Sequence, residues 1–115
     1  MGTGAGDGIS ELTRLVVTFS RQRAWNHDSK NLAMSVAIEA AEIMELFQWT
    51  DTEEPLAASD RQALALECAD VLWYLLRLCA EEGLDLAAAL RAKMEINARR
   101  FPPDADADGR PGARS

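Results

Sequence analysis

Residues 29–49 read SKNLAMSVAIEAAEIMELFQW. Leu32, Val36, Ile43, Leu46 and Phe47 recur there at helical spacing. Nowhere in the chain is an alternating apolar run bounded by a hairpin turn, so strands are not expected. Two glutamates break the amphipathic pattern, which should leave charge on the outer face. At ~100° per residue, Glu39 projects between Leu32 and Ile43, and Glu42 projects beside Leu46 and Ser35. This helix is therefore expected to carry two carboxylates on its inner side.

Similar punctuation extends outward from it. A first helix is predicted over 10–25, with Ile9, Leu12, Val16 and Phe19 on one stripe. The acidic segment 50–58, containing Pro55, reads as a loop. Ser59 followed by Gln62 forms a capping-box pattern that would start a third helix, and Gly83 would stop it. Asp85 is the expected cap of a fourth helix running to about Arg100, where Pro102 and Pro103 forbid continuation. The fold class is thus all-α, a four-helix domain over 10–103. A flexible N-terminus (1–9) and a polar, disordered tail (104–115) flank it. Such a short helical chain makes a small core, which favours assembly as a dimer or tetramer. Trp25, Trp49 and Trp73 strengthen that expectation because they look exposed.

The chain has 48% hydrophobic and 27% charged residues and a net charge of −7. That composition is globular, and no apolar run is long enough to span a bilayer. The excess of acid argues against binding a nucleic-acid polymer, which requires a basic surface. Met1–Gly8 lacks the parts of a signal peptide, so a cytoplasmic location is expected. Cys68 and Cys79 fall within one predicted helix and read as reduced, buried thiols.

The third helix repeats the anomaly of the second. Glu67 and Asp70 project onto the stripe of Leu64, Val71, Tyr74 and Leu78, and the i, i+3 spacing sends both carboxylates to the same side. A single such pair would be read as a solvated stripe edge. Two pairs, Glu39/Glu42 and Glu67/Asp70, on the inner sides of adjacent helices would repel one another and resist desolvation unless a cation joined them. Hard oxygen donors without a His or Cys cluster favour Mg²⁺, with Mn²⁺ as the alternative.

A second stripe is cationic. Lys93, Asn97 and Arg100 continue the Leu86/Leu90 face and span ~10 Å, which suits a chain of phosphates, with lysine as point charge and arginine as bidentate donor. Complementing the helix C-terminal dipole would explain the arginines equally well, and only the neighbouring carboxylates favour phosphate. Trp25, Trp49 and Tyr74 are candidates to stack on a base or sugar. His27, the only histidine, lies in the predicted loop that follows Trp25.

Together these residues resemble the MazG-like nucleoside triphosphate pyrophosphohydrolases, in particular the small single-domain branch that includes the dCTP pyrophosphatases. The ExxE…ExxD pattern is present as Glu39-Ala40-Ala41-Glu42 and Glu67-Cys68-Ala69-Asp70. The words His27-Asp28-Ser29-Lys30-Asn31-Leu32, Glu45-Leu46-Phe47-Gln48-Trp49, Lys93-Met94-Glu95-Ile96-Asn97 and Arg100-Phe101-Pro102 accompany it. The resemblance implies a helical bundle whose oligomer houses the sites. It also implies Mg²⁺-dependent hydrolysis of a nucleoside triphosphate to monophosphate and pyrophosphate, a nucleotide-pool house-cleaning activity on dCTP-like or modified substrates. Glu39, Glu42, Glu67 and Asp70 become the metal ligands; for a water attacking in line, Glu42, with Glu39 beside it, is the candidate catalytic carboxylate. Lys93, Asn97 and Arg100 are implied to hold phosphates, and Trp25, His27, Lys30, Asn31, Trp49 and Tyr74 to contact the rest of the substrate. Two departures concern the base: the segment from Trp25 to His27 is shorter than in dCTP-specific members, and Val16 stands where those members place a histidine. Related phosphoribosyl-ATP or dUTP pyrophosphohydrolases, or a non-catalytic nucleotide-binding regulatory module, are the competing readings.

Overall fold

The computed structural model describes residues 8–50 and 53–103. Four helices are present and no strand occurs among the described residues: α1 (Gly8–Gln22), α2 (Ser29–Phe47), α3 (Ala58–Glu81) and α4 (Leu86–Arg100). The expected helices are all found, with shifted ends. The expectations for residues 1–7 and 104–115 lie outside the described residues, and α1 begins already at Gly8.

The helix ends follow from local chemistry. Asp28 caps α2 by accepting the Asn31 N–H at 2.8 Å, and Asp85 caps α4 by accepting the Ala88 N–H at 3.0 Å; each satisfies an otherwise orphaned donor. The expected Ser59 cap is corrected: α3 starts two residues earlier, behind Ala57, which makes no side-chain capping bond. At its other end, α3 closes as anticipated on Gly83 (φ 69°). The Leu84 N–H reaches the Cys79 carbonyl and the Gly83 N–H reaches that of Ala80, the paired bonds of a Schellman motif.

The end of α1 uses the same bond pattern without a glycine. The Trp25 N–H donates to the Ser20 carbonyl and the Ala24 N–H to that of Arg21, which holds Ala24 at φ 56°. A left-handed alanine crowds its Cβ against the carbonyl, a cost that glycine avoids. Ala24→Gly should therefore stabilise the protein by a net ~0.5–1 kcal/mol after the extra freedom of glycine in the unfolded chain is counted. A thermal melt that shows equal or lower stability would contradict the strain. The helix expected to reach residue 25 ends at Gln22 because this motif closes it.

Packing centres on α2 against α3, with α1 laid over α3 and α4 touching α1. The Ser29 hydroxyl at the start of α2 donates to the Glu82 carboxylate just past α3, so the two helices run antiparallel. Leu32 and Leu76 are fully buried, joined by Cys79 and Ala87, and few other described side chains are. Phe19 is edge-on to Trp73 at 5.3 Å and tilted against Trp25 at 5.8 Å, tying α1 and its following loop to α3. Outside this seam much apolar surface stays open: Met34, Ile38, Met44 and Leu66 on α2 and α3, and Leu90, Met94 and Ile96 on α4, are all exposed. The expectation for the thiols is corrected in one case, since Cys79 is buried but Cys68 is exposed. Burial pushes the Cys79 thiol upward, which keeps it protonated and inert.

Candidate functional site

The α2–α3 seam carries the acidic residues. Antiparallel packing sets the middle of α2 beside the first half of α3, and carboxylate oxygens of Glu39, Glu67 and Asp70 lie within 4.8 Å of one another. Glu39 and Glu67 are half-buried and Asp70 is exposed. Glu67 Oε1 is buried with no hydrogen-bond partner. An acceptor stripped of water and left unpaired costs free energy, and a cation is the partner that a cluster of acceptors lacks.

The electrostatics agree. Partial burial, followed by the charges of Glu42 and Asp70, raises the pKa of Glu39 above the ordinary glutamate value. Glu67 is raised by burial first, then by Glu42, Asp70 and Glu39. Three hard oxygen donors converging on one point therefore fit a divalent ion such as Mg²⁺. Glu42, the fourth expected ligand, is exposed and is not one of the three converging carboxylates, but its side chain meets that of Glu67 and its charge reaches both Glu67 and Glu39.

The remaining expected site residues are dispersed within the chain. Lys93, Asn97 and Arg100 are exposed on α4, which packs on α1, away from the seam. Arg99 pairs with Glu95 at 3.8 Å, both side chains largely in solvent. Tyr74 is half-buried one turn beyond Asp70, and Lys30 and Asn31 are exposed on the first turn of α2. Trp25 and Trp49 flank opposite ends of α2, separated by its ~28 Å length, with Trp49 88% exposed. Trp73 is half-buried against Phe19, so it is packed core rather than a stacking surface.

A residue missed in the sequence is Arg77. It is 9% exposed, on α3 two turns beyond Asp70 and nearly in phase with it. Its guanidinium donates to the Trp25 carbonyl and approaches His27 Nδ1 at 3.4 Å. These groups line a cavity of about 320 Å³ with Ser20, Arg21, Asn26 and Glu81. The lone cation within Leu75-Leu76-Arg77-Leu78-Cys79 was the signal that could have found it.

The model of the MazG-like family matches residues 34–109, which include both acidic pairs. Human dCTP pyrophosphatase 1 is 38% identical over 100 residues, and the bovine protein of that name 37% over 100 residues. Each alignment covers 82% of this chain and 59% of the relative, so the chain spans little more than half the length of these proteins. The crystal structure of a pyrophosphatase from Archaeoglobus fulgidus DSM 4304 superposes with a TM-score of 0.76 at 37% identity, covering 84% of this chain and 94% of that one.

Proposed function

Because the chain belongs to the MazG-like family, we propose that it is a nucleoside triphosphate pyrophosphohydrolase, releasing pyrophosphate and leaving the nucleoside monophosphate. The observation that carries the reading is the orphaned Glu67 oxygen inside the Glu39/Glu67/Asp70 cluster. Mg²⁺, or Mn²⁺ in its place, held by these three residues, would supply the positive charge that offsets the phosphate oxygens and the pyrophosphate leaving group. Glu42, exposed beside the triad, is the carboxylate free to accept the proton of the attacking water. The water oxygen bonds to the α-phosphorus, and the bond to the bridging oxygen of the β-phosphate breaks. The names of the relatives favour a deoxycytidine-type substrate, whereas the short Trp25–His27 segment and Val16 favour a different or modified base.

A further part of the proposal is a homo-oligomer. Within one chain α4 stands away from the acidic seam, and open apolar side chains line α2, α3 and α4. Burying these faces against a second copy would bring a neighbour's Lys93, Asn97 and Arg100, or its Trp49, toward the seam that a single chain leaves uncovered. The test of the reaction is product analysis across deoxy- and ribonucleoside triphosphates in millimolar Mg²⁺. Monophosphate and pyrophosphate in equal amounts are expected. Diphosphate with orthophosphate would place cleavage at the γ-phosphate and refute it, and nucleotide bound without turnover would make the protein a binding module instead.

A further inference from the structure

The loop between α1 and α2 is held from three sides. The Schellman bonds from Trp25 and Ala24 fix its start, and the Asp28 cap fixes its end. Arg77 reaches in from α3 to its middle. A buried guanidinium is costly without partners, and here the partners are the Trp25 carbonyl and an imidazole nitrogen rather than a carboxylate. Asp28 and Glu81 also line the cavity; the Asp28 carboxylate is engaged by the Asn31 N–H, and neither acid pairs with Arg77.

Chemistry then sets the state of the histidine. Arginine has five N–H donors and no acceptor. His27 Nδ1 can meet it only as a lone pair, so the ring proton resides on Nε2 and points away from Arg77. We infer that Arg77 is a positioning residue: it clamps the Trp25–His27 turn from α3 and holds His27 as an Nε2–H donor, presenting an aromatic ring and a hydrogen-bond donor to the substrate. Because Arg77 stands two turns from Asp70 on one helix, ~10 Å along its axis, the turn is set at a fixed distance from the carboxylate cluster. The turn offers an indole and an imidazole rather than a cation, which suits the nucleoside end of the substrate rather than its phosphates. This role rests on the proposed hydrolase reading for its kinetic consequence, but not for its structural one.

The chain has a single histidine, so long-range ¹H–¹⁵N spectra at pH 8 report His27 without overlap. Wild type is expected to show Nε2–H with Nδ1 at the limit of a hydrogen-bonded acceptor. Arg77→Met, which keeps the length and apolar stem, should move Nδ1 toward the averaged position of a free imidazole. In the same variant KM should rise on the order of tenfold with kcat nearly unchanged, because the carboxylate cluster is untouched. Arg77→Lys, a single point donor unable to hold both partners, should shift the same two readouts partway, and it carries the test if Arg77→Met does not fold. An unchanged His27 spectrum, or a fall in kcat at constant KM, overturns the inference. If wild type turns over no nucleotide, the hydrolase reading fails while the His27 spectra still decide the clamp.

Discussion

Glu67→Gln should lower pyrophosphate release on the order of a thousandfold, with the metal-free fold at least as stable as wild type. Glu67 is the carboxylate with most to lose: half-buried, one oxygen without a partner, and facing the charges of Glu42, Asp70 and Glu39. The amide keeps the shape, removes the charge that a divalent ion needs, and adds an N–H donor that can turn toward a neighbouring carboxylate. Activity and stability should therefore move in opposite directions, which loss of an ordinary structural contact would not produce. Steady-state rates and melts in EDTA measure the two. Residual turnover within tenfold of wild type, or a variant clearly less stable than wild type in EDTA, would remove Glu67 from the centre of the site.

The seam was legible because its signal is a violation of a strong rule. Charges on the apolar stripes of two helices cannot be hidden by context, and Glu39, Glu67 and Asp70 stand together as the helical phasing required. The caps at Asp28 and Asp85 and the stop at Gly83 carry their own local chemistry, although only the last two were anticipated. Ser59 failed as a cap because the capping-box pattern names residue types without fixing φ and ψ, and the chain turns helical two residues sooner. The end of α1 was hidden for the opposite reason: its left-handed residue is Ala24, where no glycine announces the turn.

Distances between elements were harder to read. Helical phase says which side of α4 bears Lys93, Asn97 and Arg100, but not against which helix that side lies. Trp25 and Trp49 were grouped by chemistry, yet the length of α2 keeps them apart in one chain. Arg77 went unnoticed because a lone cation in an apolar run is easily taken for a snorkelling side chain. Its role depends on the loop folding back over α3, a tertiary fact with no periodic signature.

Divalent metal should raise the melting temperature strongly, and the gain should widen as the pH rises. Glu39 and Glu67 titrate above the ordinary glutamate value of 4.5. A group with a raised folded pKa contributes stability that is fully present below its unfolded value and is lost as pH rises through the folded one. In EDTA, these two residues therefore weaken the fold as they ionise above pH 4.5. Metal needs the same carboxylates ionised, so its affinity grows over that interval. With free Mg²⁺ at 100 times its dissociation constant, linkage is worth ~2.7 kcal/mol, on the order of 10 °C for a domain of this size. Comparing EDTA with Mg²⁺ at each pH, at one protein concentration, cancels every carboxylate remote from the metal. Glu42→Gln supplies the internal control: outside the triad, it should retain most of the Mg²⁺-dependent gain while losing turnover. Equal melting in both buffers at neutral pH, or a gain that shrinks between pH 5 and 7, would mean that the three oxygens do not bind a cation together.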